Sequence, residues 1–178
     1  MKVYTRKGDD GTTGLLYGGR APKDSPLPWA YGTVDEAQAT LGMARATCER
    51  GGELDRLLTR LCGELWVLMA ELATLPENRA KLTPGQTLVT ADMVAGLEAL
   101  IDEASERFEP PKEFVVPGQN LVAAHLDLAR TVVRRAERLA VRAAPPPSEV
   151  VPYLNRLSDL CWTLARWQEG ESLRTRTV

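Results

Sequence analysis

Leucine stands at positions 54, 58, 61, 65, 68 and 72, in steps that alternate four and three residues. On an α-helix that spacing gathers six apolar side chains into one stripe, whereas on a β-strand it would scatter them over both faces. Such a stripe must be covered, so the rest of the chain has to supply helices with matching faces. The spacing predicts this helix over about 53–74, ended by Pro76.

Four further segments meet that demand. A helix over 29–49 is entered through Pro26 and Pro28, carries Tyr31, Val34, Leu41 and Ala44, and is left near Gly51-Gly52. Another, over 90–107, presents Met93, Leu97, Leu100 and Ile101 before Pro110-Pro111. The segment 118–143 offers Val122, Leu126, Ala129, Val133, Ala136 and Ala140, and Pro145 to Pro147 close it. The last, 149–169, aligns Val150, Leu154, Leu157, Cys161 and Leu164. No strand alternation is visible. The expected fold is all-α, a five-helix bundle behind a glycine-rich N-terminal loop. Its expected organisation is one domain over 1–178: loop 1–27, bundle 28–170 and tail 171–178.

Charge limits the partners. With 22 basic and 24 acidic residues the net charge is -2, so nothing global favours nucleic acid or a membrane surface. Any phosphate site must be local. No apolar leader and no uninterrupted apolar run of about 20 residues is visible, and a soluble, cytoplasmic chain is the expectation. Cys48, Cys62 and Cys161 lack ligand-type spacing and read as free, buried or half-buried thiols. A single histidine, His125, excludes a multi-histidine metal centre and reads as a helix-face residue satisfied by a neighbour. No protein metal site is expected.

Polar rows run beside the apolar seams. In the fourth segment Asp127, Arg130, Arg134, Glu137 and Arg138 project from nearly one face, and the run RRAER adds Arg135. A solvated face laced with ion pairs is the ordinary reading of such a helix. Guanidinium groups in this density also suit a polyphosphate. One helix later Asn155 and Asp159 stand a turn apart, again beside the seam. In the first helix Asp35 and Glu36 follow Val34; they read as a first-turn acid pair, or as an inward acid with Arg130 as its available cation.

The stretch TRKGDDGTTGLLYGGRAPKD, residues 5–24, is rich in glycine, hydroxyls and cations. Gly8, Gly11 and Gly14 allow backbone N–H groups to approach an anion, Thr5, Thr12 and Thr13 add hydroxyls, and Lys7 and Lys23 add charge. It is neither a Walker loop nor a dinucleotide fingerprint. Taken alone it equally describes a flexible leader.

Four blocks in order, TRKGDDGTTGLLYGGRAPKD, AYGTVDEAQATLG, FVVPGQNLVAAHLDLARTVVRRAER and YLNRLSDLCWTLAR, resemble the PduO-type cob(I)alamin adenosyltransferases. The resemblance implies transfer of the 5'-deoxyadenosyl group of ATP to the cobalt of reduced cobalamin, with triphosphate leaving. It implies that Thr5, Arg6, Lys7, Gly8, Thr13, Gly14 and Lys23 wrap the triphosphate, and that Arg134, Arg135, Glu137, Arg138 and Asn155 complete the nucleotide site. It further implies a homotrimer with ATP between subunits, and an inter-subunit ion pair of Asp35 with Arg130. Asp159 matches an acidic position near both substrates. Phe114, otherwise a core phenylalanine before a helix, matches an aromatic ring beneath the corrin that displaces the lower axial ligand of cobalt.

Magnesium is implied as a triphosphate counter-ion, held by phosphate oxygens and water. An adenosylcobalamin-dependent mutase and a flavin reductase are the implied partners, with no nucleic acid and no membrane. After Pro117-Gly118 the sequence departs from the family pattern, carrying Gln119-Asn120 where a glycine and a hydroxyl residue are common.

Overall fold

The computed structural model describes residues 4–144 and 146–177. Pro145, expected to help close the fourth helix, lies outside the described residues, as do residues 1–3 of the loop and 178 of the tail. Helix α1 spans Pro26–Thr47, α2 Glu53–Leu72, α3 Ala91–Ser105, α4 Leu121–Ala143 and α5 Val150–Glu169, with short 3-10 turns at Pro76–Lys81 and Thr175–Thr177. The all-α bundle expected from the seams is present.

Where the boundaries differ, local chemistry explains it. Helix α1 starts at Pro26, three residues early, because first-turn N–H groups have no partner inside the helix and proline loses nothing there. Asp35 and Glu36 therefore lie well inside the helix, which corrects their reading as a first-turn acid pair. Helix α4 starts at Leu121, not 118, because Gly118 has φ 108° and Asn120 caps the helix, its side-chain oxygen accepting from Ala123 N at 2.9 Å. Thr90 caps α3 in the same way, accepting from Met93 N at 3.3 Å.

The N-terminal loop holds a small antiparallel hairpin that the sequence did not announce. Strands β1, Thr12–Gly14, and β2, Arg20–Pro22, pair with Thr12 opposite Pro22 and Gly14 opposite Arg20. Three residues are too few for alternation to register, so the turn carries the signal instead. Gly18 and Gly19 take φ 100° and 89°, and Leu15 N donates to Gly19 O at 3.1 Å.

Helix α1 packs on α2 and α4, α4 on α5, and α5 on α3. All six stripe leucines of α2 are buried, as are Val34, Leu41 and Ala44 of α1 and Leu126, Ala129, Val133, Ala136 and Ala140 of α4. Helix α5 buries every predicted stripe residue and also Tyr153, whose hydroxyl donates to Glu64 Oε2 of α2 at 2.7 Å. Burial, then Glu64, pushes the Tyr153 phenol well above its ordinary range. Met93, Leu100 and Ile101 of α3 are only half-buried, since α3 packs on α5 from outside the central group; Tyr31 of α1 and Val122 of α4 are half-buried as well. The three cysteines are free, Cys161 fully buried and the others half-buried.

Candidate active site

The loop folds back on itself around Arg20. Its guanidinium donates to Thr12 Oγ1 through Nε at 2.9 Å and reaches the Lys7 carbonyl, joining the two ends of the 7–12 turn. Asp10 accepts from Thr12 N at 2.9 Å and from Thr12 Oγ1 at 2.8 Å. Those Thr12 bonds, with the Arg20 charge, hold the Asp10 carboxyl below its ordinary range.

Lys23 is drawn onto the same turn by its backbone bond to Gly11 O, 2.9 Å. A Cβ on Gly8 would stand 3.2 Å from Lys23 Nζ and 3.1 Å from Thr12 O, so glycine there permits the approach. Arg6 sits at φ 61°, in the left-handed region that a non-glycine residue rarely occupies. Thr5, Arg6, Lys7, Gly8 and Lys23 are thus brought together, with Thr13 and Gly14 following on β1. Cations and backbone N–H groups concentrated in one exposed turn suit an anion. The hydrogen bonds of residues 5–24 include those within the segment and others to Ser25, Ala73 and Thr87.

Helices α4 and α5 present the second element. Asn155 Nδ2 donates to Glu137 Oε1 at 2.9 Å, and Arg134 Nη1 lies 4.0 Å from Glu137 Oε2. Arg156, which the sequence reading passed over, bonds to Asn155 and lies 3.8 Å from Asp159 Oδ2. Glu137, Asn155, Arg156 and Asp159 therefore form one connected polar row. Arg134, Arg135 and Arg138 are exposed beside it, and Arg135 is paired with Glu36 of α1.

Beyond the row opens a cleft of about 1010 Å³, with Phe114, Val115 and Pro117 on one side and Asp127, Arg130 and Arg166 on the other. Phe114 is 90% exposed, so the reading of it as a core residue fails. Its backbone is held where its ring is not: Thr175 N donates to Phe114 O at 3.0 Å and Val116 N to Leu173 O at 2.8 Å. Opposite, Asp127 joins two arginines, accepting from Arg166 Nη2 at 2.6 Å and from Arg130 Nε at 3.4 Å. Arg166 Nε also lies 2.7 Å from Glu169 Oε1, at an angle that makes this an ion-pair contact and not a hydrogen bond.

One further sequence expectation needs adjustment. Asp35 is exposed, and Arg130 of the same chain is engaged by Asp127, so an inward Asp35–Arg130 pair does not exist within one subunit. His125 behaves as expected, its Nδ1 lying 3.3 Å from Thr47 Oγ1. Sequence reasoning missed Arg20, Arg156, Arg166 and Glu169. Arg166 carried no signal of its own, because Asp127 is brought to it only when α4 packs on α5.

Fold and site define a helical bundle with a glycine-rich N-terminal hairpin and a cleft that carries an exposed aromatic ring. The chain belongs to the cobalamin adenosyltransferase family, which residues 3–168 match. A corrinoid adenosyltransferase of Citrobacter freundii is 41% identical over 171 residues, covering 94% of this chain and 95% of that protein. The corrinoid adenosyltransferase PduO of Salmonella typhimurium is 39% identical over the whole chain, which spans about half, 53%, of that protein's length. Among solved structures, a PduO-type ATP:corrinoid adenosyltransferase from Lactobacillus reuteri superposes with TM-score 0.87 at 27% identity, covering 98% of this chain and 99% of that one. That neighbour is a phenylalanine-to-alanine variant complexed with cobalamin and ATP.

Proposed function

We infer that the protein transfers the 5'-deoxyadenosyl group of ATP to the cobalt of cob(I)alamin, releasing triphosphate. The observation that carries this reading is Phe114, an aromatic ring standing free at a cleft whose opposite side is the Asp127–Arg130–Arg166 cluster. Family membership and the neighbour that holds both cobalamin and ATP support it.

The chemistry asks for alignment more than for proton transfer. Co(I) donates an electron pair to the ribose C5' carbon, the C5'–O bond breaks, and its electrons leave on triphosphate. No general base takes part. The protein's work is to hold the two centres in line and to stabilise charge gathering on the leaving group.

Thr5, Arg6, Lys7, Gly8, Thr13, Gly14 and Lys23 wrap the triphosphate, and Arg134, Arg135 and Arg138 meet it from α4, with Glu137 and Asn155 fixing the row. The active assembly is a homotrimer in which the loop of one subunit meets the arginine face of the next. Asp35 then pairs with Arg130 across that junction, sharing Arg130 with Asp127. Phe114 lies beneath the corrin and displaces the lower ligand of cobalt, which makes reduction to Co(I) accessible, and Asp159 borders both substrates.

Among the described residues no group of three or more His, Cys, Asp or Glu could cage a metal ion. Magnesium is expected to travel with the triphosphate, held by phosphate oxygens and water. A flavin reductase supplies the Co(I) and an adenosylcobalamin-dependent mutase takes the product, all in the cytoplasm. No helix among the described residues is long and apolar enough to cross a membrane.

The test is to mix the protein with ATP and chemically reduced cobalamin and follow the absorbance spectrum. Formation of adenosylcobalamin supports the reading; binding of both compounds without conversion would assign the protein to storage or delivery.

A further inference from the structure

Far from the cleft, Glu71 near the end of α2 has a side chain fully closed to solvent and accepts three hydrogen bonds. They come from Arg79 Nη2 at 2.7 Å, Ser148 Oγ at 2.7 Å and Val89 N at 2.8 Å. One carboxylate thus ties together the end of α2, the 3-10 turn after it, the approach to α3 and the approach to α5. A buried charge is tolerated only when satisfied in this way, and removing a donor or the charge loosens whatever it joins.

What it joins is the mounting of the N-terminal hairpin. Leu16 N donates to Ala73 O at 2.8 Å, and Leu16 bridges Thr74. Gly19 lies so close to Leu75 that a Cβ would stand 2.5 Å from its Cδ1. Tyr17, on the turn, reaches Thr87 at 3.4 Å between the hydroxyls. Ala73 is two residues past Glu71, and Thr87 two residues before Val89. Two of the points where the hairpin is hydrogen-bonded to the bundle therefore lie two residues from points that Glu71 fixes.

We propose that Glu71 is a positioning residue for the nucleotide loop: it sets the platform, Ala73 to Leu75 with Thr87, on which the hairpin is mounted, and through it the presentation of Thr13, Gly14 and Lys23. The proposal rests on the reading of that loop as the triphosphate site. Its mechanical half, hairpin held by platform, does not.

The experiment uses the full chain with Glu71→Gln, and Ser148→Ala as a milder variant that removes one donor. Trypsin cleavage at Arg20 and Lys23 without ATP reads the mounting; steady-state kinetics with each substrate varied reads its use. Faster cleavage in the hairpin, an intact bundle, and a rise in KM for ATP of about tenfold with KM for the corrinoid unchanged are expected, with smaller changes of the same pattern in Ser148→Ala. Unchanged hairpin cleavage in folded variants overturns the proposal, as does an equal rise in both KM values, which marks a general structural loss. Faster cleavage with no change in ATP affinity leaves the mounting in place and overturns the nucleotide assignment of the loop.

Discussion

Asp127 of α4 and Arg166 of α5 form an ion pair of 2.6 Å in which the side chains are 7% and 1% exposed, at the side of an otherwise open cleft. A pair this dry adds little over an apolar contact of the same shape, but breaking it leaves a charge stranded. Asp127→Asn should therefore lower stability by about 3 kcal/mol, near the low end for such losses because Glu169 still accompanies Arg166. Urea denaturation measures this. A smaller loss from Asp127→Asn in an Arg166→Met background, where no guanidinium is left for that change to strand, is expected, and an equal loss in both backgrounds would show that the pair is not its cause.

Phe114 makes the opposite prediction. Its ring is 90% exposed, so Phe114→Ala should leave the urea midpoint and ATP binding unchanged. Conversion that starts from Co(II) cobalamin should drop steeply, while conversion from fully reduced Co(I) should suffer less. Equal rates from both starting states, each near wild type, would remove Phe114 from the ligand-displacing role.

For Arg134, exposed on α4 beside Glu137, the expected effect is on nucleotide affinity. Loss of a charge-assisted contact to phosphate is worth about 1.5–3 kcal/mol, so Arg134→Ala should weaken ATP binding roughly 10- to 100-fold. Titration calorimetry with ATP reads this without turnover. Unaltered affinity would place Arg134 outside the site.

Cys161 gives a pH prediction. Burial pushes its thiol from the ordinary 9.0 up to about 12. The folded state thus keeps a proton that the unfolded chain gives up, so the stability this group confers is full below pH 9 and is lost as pH rises towards 12. Across that window wild-type stability should fall up to about 1.4 kcal/mol per pH unit more steeply than that of Cys161→Ala. Parallel slopes would contradict the burial of a protonated thiol.

The helices were legible because their signal is redundant: six leucines in α2 or six apolar residues in α4 fix a period that no single substitution hides. The hairpin was not, since Thr12–Gly14 and Arg20–Pro22 are too short to show any period. At the site, residue type flagged groups that the fold leaves exposed or close together, as with the arginines of RRAER on α4 and with Gly8 beside Lys23 in the loop. It failed for Arg166, Glu169 and Glu71, because an acid or arginine within an apolar stripe has no readable partner until the helices are packed. Asp35 and Arg130 show a different limit: within the chain Asp35 is exposed and Arg130 is held by Asp127, so a pairing proposed across two subunits has no counterpart in a single one.

The most direct measurement is phosphorus NMR of the products when ATP and chemically reduced cobalamin are converted by the protein. Attack at C5' predicts one intact triphosphate for each adenosylcobalamin formed, with no ADP or AMP. Orthophosphate with ADP, or pyrophosphate with AMP, would place the reaction at a phosphorus atom and contradict adenosyl transfer.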